Sequence, residues 1–295
     1  MLKAVFVTLR GLKIFNNWRS KLNLIDIHIH VSKREHLTSF FLDYFVHEFG
    51  EGAIQAIEEL TPSKFTKFLE VEGVDFAVLL SEYSPQVTGV TPNEFTAKFA
   101  AESDKLIPFG SIDINSSVPT GDQAEHAFRD LNCKGLKLLP SYGYYYPNDP
   151  RMSDAYEVAQ KYDSVVMFHT GTSLFPKTRV RFADPLLLDD VAVDFPDLKI
   201  VMCHGGRPFW YQQSEWMLRR HTNLFIDISG IPPFQLPKNF PKLERFKERF
   251  VFGSDWPNIM SIRNQAEQIC KLPYRQETIE SILWRNAARI LKLDK

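Results

Sequence analysis

Near its N-terminus the chain reads Leu24-Ile25-Asp26-Ile27-His28-Ile29-His30, an apolar run that ends in two histidines two residues apart. In a β-strand, residues i and i+2 point to the same face, and each residue advances the chain by about 3.3 Å. His28 and His30 can therefore converge at the end of one strand. Paired imidazoles suit a divalent metal better than a core. An isolated His-x-His pair is also often a plain polar strand face, so the rest of the chain must decide.

Seven further runs of strand length follow, and the gaps between them are long enough for a loop and a helix. Strands joined by such crossovers pair in parallel. Eight units of this kind predict an α/β fold, a single (β/α)8 TIM barrel. An open doubly wound sheet is the alternative, but no GxGxxG turn follows any strand. The predicted strands are Leu24–His30, Val74–Leu80, Leu106–Ile112, Gly135–Leu139, Ser164–His169, Leu198–His204, Asn223–Ile228 and Arg249–Gly253.

The barrel is predicted to be one domain over residues 24–295, after an N-terminal extension at residues 1–23 that has basic residues and no acid. The long gap Val31–Gly73 predicts a helical insertion after strand 1, at the barrel mouth, although its aromatic residues could equally be plain core. Further helices are expected to begin at Thr61-Pro62, Thr91-Pro92 and Ser153-Asp154. A closing helix is expected over Gln276–Leu291.

Composition and charge argue against several classes of partner. The 295 residues include 35 basic and 36 acidic side chains, for a net charge of −1, which gives no support for a nucleic-acid partner. No apolar run approaches the roughly 20 residues that span a bilayer, so no membrane partner is expected. The three cysteines are odd in number and unevenly spaced, which favours reduced thiols and a cytoplasmic location. A small-molecule substrate is the expected partner.

Three more strands end in residues that can bind metals. The fifth strand ends in His169, the sixth ends in His204, and Asp255 follows the eighth. All strands of a parallel barrel run in the same direction, so these residues and the His28–His30 pair should meet at its C-terminal mouth. Each residue alone could be a rim residue or a helix cap. Together they predict a metal site.

With these residues at the strand ends, the sequence resembles the amidohydrolase superfamily, in particular its amidohydrolase-2 branch. That branch includes aminocarboxymuconate-semialdehyde decarboxylase, related aromatic acid decarboxylases, and lactone or amide hydrolases. The resemblance runs from about Leu24 to Leu291 and implies a metal-dependent barrel enzyme. The matching motifs are Ile25–His30, Gly135–Leu138, Phe168–Gly171, Cys203–Gly206, Phe252–Pro257 and the terminal helix Ile282–Leu291.

The resemblance implies roles for individual residues. His28, His30, His169 and Asp255 would hold one divalent metal, most often zinc in this branch, with Mn²⁺ or another first-row ion as the alternative. His204 and Asp255 would be the catalytic residues, His204 on a water and Asp255 as a proton carrier. Dimers are common in the branch, which leaves a homodimer open.

Lys137 has two interpretations under this resemblance. In binuclear members of the superfamily a carboxylated lysine on strand 4 bridges two metals. In this branch the lysine is common and the site is normally mononuclear. We therefore expect one metal, with Lys137 setting the electrostatics near the substrate.

The loops after the strands should bind the substrate. The tyrosine cluster that contains Tyr142 could wall an aromatic ligand or simply pack the barrel rim. Arg179, Arg181 and Arg207 follow strands 5 and 6, where a guanidinium could hold a substrate carboxylate, although most exposed arginines have no such role.

Three functions remain open from the sequence. The first is a metal-dependent hydrolase acting on an amide, a lactone or a similar small, carboxylated or cyclic substrate. The second is a non-oxidative decarboxylase of the same family. Decarboxylases of the branch often have Glu or Ala in place of the first histidine, so His28 favours hydrolysis. The third is a non-catalytic barrel that binds a small molecule, which the set of polar residues argues against.

Overall fold

Eight parallel strands form the centre of the structure, a computed structural model that describes residues 23–259 and 261–293. Each strand pairs in parallel with the next one along the chain. All eight predicted strands are confirmed, with ends that differ by one or two residues. They are β1 (Ile25–Ile29), β2 (Phe76–Leu80), β3 (Leu106–Gly110), β4 (Gly135–Leu138), β5 (Val165–His169), β6 (Lys199–Cys203), β7 (Leu224–Asp227) and β8 (Phe250–Val251).

The first and last strands meet, so the sheet curls into a nearly closed barrel. The backbone N–H of Ile27 donates to the carbonyl of Phe252 at 3.1 Å, and that of His30 donates to Trp256 at 2.9 Å. Ile29 also forms a parallel bridge with Trp256. The predicted TIM barrel is confirmed, and its seam brings the start of the chain against the segment that carries Asp255.

Alternate strand residues fill the barrel interior, as expected for a pleated strand with one face inward. This inner cluster is apolar and lies on the N-terminal side of the polar residues at the mouth. Its members include Val78, Leu80, Ile107, Phe109, Val165, Met167, Val201, Cys203 and Phe225. A second, larger cluster lies between the outer faces of the strands and the surrounding helices.

Helices surround the barrel, and each predicted one is found. No helix in residues 23–259 and 261–293 is long and apolar enough to cross a membrane. The closing helix is continuous from Gln276 to Leu291, with a π-helical turn at Ser281–Arg285 in its middle. The helices are α1 (Ser39–Phe49), α2 (Glu51–Glu58), α3 (Pro62–Glu72), α4 (Asn93–Ala100), α5 (Thr120–Glu125), α6 (Pro140–Gly143), α7 (Ser153–Lys161), α8 (Leu188–Asp194), α9 (Tyr211–Arg220), α10 (Leu236–Asn239), α11 (Ile262–Cys270), α12 (Gln276–Glu280) and α13 (Asn286–Leu291).

The insertion after β1 contains two helices, α1 and α2, that share a small buried cluster around Phe45. An antiparallel hairpin that the sequence did not predict follows β2, with strands Glu82–Ser84 and Gly89–Thr91. Thr38, the N-cap of α1, donates from its hydroxyl to the carbonyl of Val87 in the turn of this hairpin, at 2.6 Å. The insertion is thereby fastened to the hairpin. The predicted N-terminal extension lies, except for Asn23, outside the described residues.

Candidate metal and substrate site

Three predicted ligands converge at the barrel mouth. Nε2 of His28 and Nε2 of His30 are 3.2 Å apart, and Oδ1 of Asp255 lies 3.5 Å from each of them. One ligand atom from each residue therefore falls within the 4.8 Å that a shared ion requires. This mixture of imidazole nitrogen and carboxylate oxygen is the donor set of catalytic zinc and related first-row ions.

A buried carboxylate orients His28. Nδ1 of His28 donates to Oδ2 of Asp227 at 2.6 Å, and both side chains are buried. With its hydrogen on Nδ1, the ring keeps a lone pair on Nε2, the atom that faces His30 and Asp255. A carboxylate behind a histidine in this way is the usual support of a metal ligand. Burial and the positive charge of Lys137 lower the pKa of His28 to about 4.

His30 has its own carboxylate neighbour, which comes from the hairpin after β2. Nδ1 of His30 lies 3.6 Å from Oε2 of Glu82. The hydroxyl of Thr88, on the other side of the hairpin, donates to the opposite carboxylate oxygen of Glu82. Burial raises the pKa of Glu82 above its ordinary value, and the nearby His30 opposes that rise. The hairpin therefore brings a second acid to the ligand cluster.

His204 faces the same cavity in a fixed tautomer. Its Nδ1 lies 3.1 Å from the carbonyl oxygen of Ser229 and 2.9 Å from the Ser229 hydroxyl. A carbonyl can only accept, so Nδ1 carries the hydrogen and Nε2 keeps its lone pair. Burial, with the charge of Arg207, lowers the pKa of His204 well below its usual value. The ring is therefore neutral at pH 7 and can accept a proton.

His169 lies beside this group but is not within 4.8 Å of the three converging ligand atoms. Its ring is 4.8 Å from that of His204, centroid to centroid. Its Nε2 is buried and has no hydrogen-bond partner among the described residues. Burial lowers the pKa of His169 well below the usual value, so the ring is neutral and offers a lone pair. A buried nitrogen without a partner in a polar site indicates room for a ligand.

Asp255 is held by its backbone as well as by its side chain. Its N–H donates to the carbonyl of His28 at 2.9 Å, and it has a left-handed backbone with φ 61°. His204 is left-handed too, with φ 62°. Such conformations cost non-glycine residues about 1–3 kcal/mol and cluster at functional sites. Burial by itself would raise the pKa of Asp255, but the hydrogen bond from His30 and the surrounding imidazoles hold it well below its ordinary value.

Two cations border the cluster. The amine of Lys137 is buried, 3.1 Å from Nε2 of His28 and 3.2 Å from Sγ of Cys203. The guanidinium of Arg207 lies 4.0 Å from Oδ2 of Asp255. It crosses directly over Gly230, where an added Cβ would lie 1.4 Å from Nη1 and where φ is 65°. Glycine at this position is what lets Arg207 reach the cluster.

The other predicted substrate residues divide into two groups. Tyr142 lines the cavity, with its ring 5.0 Å from that of His169 and its hydroxyl donating to Ser173 at 2.9 Å. Arg179 and Arg181 are exposed and do not line the cavity. They stack instead on Tyr144 and Phe182.

A cavity of about 790 Å³ opens above the cluster. Its polar end is formed by the histidines, Asp255, Glu82, Lys137 and Arg207. Its wall on the side of the insertion is apolar, formed by residues such as Phe41, Tyr44, Phe49, Ile57 and Phe175. The site can therefore take a ligand with a negatively charged head and an apolar body.

Sequence reasoning missed Asp227 and Glu82, although signals for both were present. Phe225 faces the barrel interior, so the alternation of a strand places Asp227, two residues on, at the mouth. Leu80 stands in the same relation to Glu82. An acid at or just after the end of an apolar barrel strand is therefore a candidate site residue, just as a histidine there is.

Comparisons with known proteins agree with this architecture. The Amidohydro_2 family model, described as amidohydrolase, matches residues 25–293. No curated protein matches the chain significantly.

Several solved structures share the fold at low identity. An uncharacterised TIM-barrel protein from Bordetella bronchiseptica is 22% identical, with a TM-score of 0.73, 92% of this chain and 99% of that chain covered. A 5-carboxyvanillate decarboxylase from Novosphingobium aromaticivorans, complexed with manganese and a nitrobenzoic acid, is 14% identical, with a TM-score of 0.70 and coverage of 93% and 97%. A 2,6-dihydroxybenzoate decarboxylase from Rhizobium is 16% identical, with a TM-score of 0.68 and coverage of 93% and 100%.

Proposed function

The chain belongs to the amidohydrolase family whose model matches residues 25–293, and from that premise we propose that it is a metal-dependent, non-oxidative decarboxylase of a small aromatic carboxylic acid. Its structural neighbours include decarboxylases of 5-carboxyvanillate and 2,6-dihydroxybenzoate. The proposal reverses the order of preference that the sequence suggested. Hydrolysis becomes the second candidate.

The observation that carries the proposal is the pair of cations beside the ligand cluster. Lys137 lies against His28, and Arg207 lies 4.0 Å from Asp255. A substrate carboxylate entering beside them meets positive charge at the buried end of the cavity, where charge-assisted hydrogen bonds are strong. A guanidinium suits a carboxylate because it can bind both oxygens at once.

The residues present fit a divalent metal. His28, His30 and Asp255 would hold it, and the buried Nε2 of His169, which has no partner among the described residues, supports His169 as a fourth ligand. When bound, such an ion supplies a positive charge that binds substrate oxygens and stabilises the negative charge left by the departing carboxylate. Nitrogen-rich donors suit Zn²⁺, and the manganese of one structural neighbour supports Mn²⁺ as the alternative.

In this proposal Asp255 accepts a proton from the substrate and then donates it back. Its Oδ1 faces the two histidines and its Oδ2 faces Arg207. The ionised carboxylate takes a proton from a substrate hydroxyl and gives it to the ring carbon. The carbon–carbon bond to the carboxylate breaks, carbon dioxide leaves, and the electron pair of that bond forms the new C–H bond. The product leaves as a phenolate, which solvent protonates.

Hydrolysis remains the second candidate because of His204. Its neutral ring has the lone pair of Nε2 free to accept a hydrogen bond from an attacking water, although its lowered pKa makes it a weak base. Decarboxylation does not need that base.

One experiment separates the two reactions. The protein is loaded with Mn²⁺ or Zn²⁺ and offered 2-hydroxybenzoic acids in parallel with lactones and amides. The proposal expects carbon dioxide release that chelators abolish and that Asp255→Asn lowers by about a hundredfold or more. Asp130→Asn changes an exposed residue that does not line the cavity, so it is the matched control and should have no effect. Ring opening or amide cleavage without carbon dioxide release would establish the hydrolase instead.

A further inference from the structure

The cavity continues well beyond the ligand cluster, and its far end is apolar. We propose that the substrate is a carboxylic acid that carries a second ring, or an apolar substituent of similar bulk, on the side away from its carboxylate. The inference rests on the proposed function for the polar end, where the carboxylate is bound. The inference adds an apolar group of the substrate, which fills the part of the cavity beneath α1 and α2.

Most of the aromatic residues of α1 are only partly buried. The helix carries Phe40, Phe41, Tyr44, Phe45 and Phe49, yet Phe45 is its one buried residue. The partly exposed rings of Phe41, Tyr44 and Phe49 line the cavity. Phe41 and Phe49 pack against the cluster around Phe45 and also line the cavity, so the exposed parts of their rings offer apolar surface to a ligand.

A row of aromatic contacts connects this helix to the ligand cluster. The ring of Tyr142 lies 5.0 Å from His169 and 6.3 Å from Phe175. Phe175, in the loop after β5, lies 5.0 Å from Tyr44 and 5.4 Å from Phe41, both edge to face. A flat substituent that leaves the cluster therefore meets aromatic edges and faces along the whole row, the arrangement in which aromatic rings attract one another.

The size of the cavity leads to the same class of substrate. Its volume of about 790 Å³ lies in the upper part of the roughly 300–1,000 Å³ found for pockets of drug-sized ligands. An acid with one small ring would occupy the polar end and leave water against Phe41, Phe49 and Ile57. An apolar substituent displaces that water and gains affinity in proportion to the apolar area it buries.

Binding of two acids with the same head group tests the inference without relying on turnover. The full-length protein, loaded with Mn²⁺, is titrated calorimetrically with 2-hydroxybenzoate and with 4-phenyl-2-hydroxybenzoate. We expect the phenyl-substituted acid to bind at least about tenfold more tightly. Phe41→Ala and Phe175→Ala should remove most of that advantage and leave the affinity for 2-hydroxybenzoate within about twofold.

Two further variants guard against a general loss of structure. Phe41→Trp fills the apolar end, so it should exclude the phenyl-substituted acid and still bind 2-hydroxybenzoate. Trp216→Ala removes an aromatic side chain that is 52% exposed on the outer helix α9, and it should leave both affinities unchanged.

The inference and the proposed function fail in different ways. Equal affinity for the two acids, or equal loss of both in Phe41→Ala, would overturn the inference even if carbon dioxide is released from 2-hydroxybenzoate. No binding of either acid would overturn the inference and the proposed function together. A clear preference for the larger acid that follows the Phe41 variants supports the inference. If neither acid then loses carbon dioxide, the proposed reaction fails and the preference for bulky acids stands.

Discussion

His28 and Asp227 form a buried hydrogen bond of 2.6 Å between Nδ1 and Oδ2, and this contact fixes the chemistry of the first ligand. The residues lie 199 positions apart, on the first and seventh strands, so the barrel brings them together. Because Asp227 accepts the hydrogen of Nδ1, Nε2 presents a lone pair to His30 and Asp255. Asp227 also accepts from the hydroxyl of Ser229 at 2.7 Å, which ties it to the loop under His204.

Replacing Asp227 should weaken metal binding. In Asp227→Asn the amide can donate to Nδ1 of His28, which moves the ring hydrogen to Nε2 and removes the lone pair from the ligand position. Loss of such supporting carboxylates typically costs 10- to 100-fold in metal affinity. Competition with a chelator measures this loss.

Asp189→Asn provides a matched control for that measurement. Asp189 binds Nε2 of His221 at the same 2.6 Å, but the pair lies away from the cavity. Metal affinity should be unchanged in this variant. Equal affinity in the wild-type protein and Asp227→Asn would contradict the role assigned to Asp227.

A side chain at Gly253 should lower both stability and metal affinity, because His28 and Asp227 occupy the space that its Cβ would need. A Cβ on Gly253 would lie 2.4 Å from Oδ1 of Asp227 and 2.7 Å from Cβ of His28. Gly253→Ala should therefore destabilise the protein by about 1–3 kcal/mol and lower its metal affinity. Urea unfolding and chelator competition measure the two effects.

Gly52→Ala is the control, because an added Cβ there would have no heavy atom within 4 Å. It lies in α2 and should change stability by less than about 1 kcal/mol. A Gly253→Ala variant as stable and as metal-competent as Gly52→Ala would show that the close approach is not needed.

Asp26 should make the stability of the metal-free protein depend on pH. Burial raises its pKa to about 7, although its Oδ1 accepts from the backbone N–H groups of His28 and Ser254, each at 3.0 Å. Its Oδ2 has no partner among the described residues. A carboxyl with a raised folded pKa binds more protons folded than unfolded between about pH 4 and pH 7, so it makes stability fall as pH rises through that window.

The difference between the wild-type protein and Asp26→Asn isolates this effect from the other titrating groups. Relative to the variant, the wild-type free energy of unfolding should fall by at most about 1.4 kcal/mol per pH unit across the window. Urea unfolding in the presence of a chelator measures it. Parallel curves for the two proteins would show that Asp26 does not titrate in this range.

The sequence predicted the strands and the histidines because both depend on local pattern. Apolar runs of strand length predict the barrel, and residues such as His169 at their ends are placed by the common direction of the strands. The partners of those histidines depend on long-range pairing instead. Asp227 meets His28 only because β7 and β1 belong to one closed barrel. The position of Glu82, two residues after Leu80, indicates that it lies at the mouth, but its contact with His30 depends on a hairpin that the sequence did not predict.

The far end of the cavity was also beyond the sequence. The aromatic residues of α1 have the spacing of a buried helix face, and only their positions in three dimensions show that Phe41 and Tyr44 face a cavity. Hydrophobic periodicity indicates that one face of a helix is apolar, but it does not indicate whether protein or a cavity lies against that face.

We expect the protein to bind one metal ion per chain, because the surroundings of Lys137 leave no room for a second. A carboxylated lysine would bridge a second ion, but Nζ of Lys137 lies within 3.2 Å of both His28 Nε2 and Cys203 Sγ. The other group of potential ligands in the described residues, His28, Cys203 and Asp227, shares His28 with the first. Nδ1 of His28 is already bonded to Asp227, so the described residues offer a second ion no independent site. Elemental analysis should find one divalent ion per chain.

Lys137→Met separates the two arrangements. It removes a cation beside His28 and keeps the volume, so it should still bind one ion, at least as tightly as the wild-type protein, because a like charge is gone. Turnover should fall, since a substrate carboxylate loses one of its two cations. Lys134→Met, on an exposed side chain, should change neither quantity. Two ions in the wild-type protein and one in Lys137→Met would establish the bridging lysine instead.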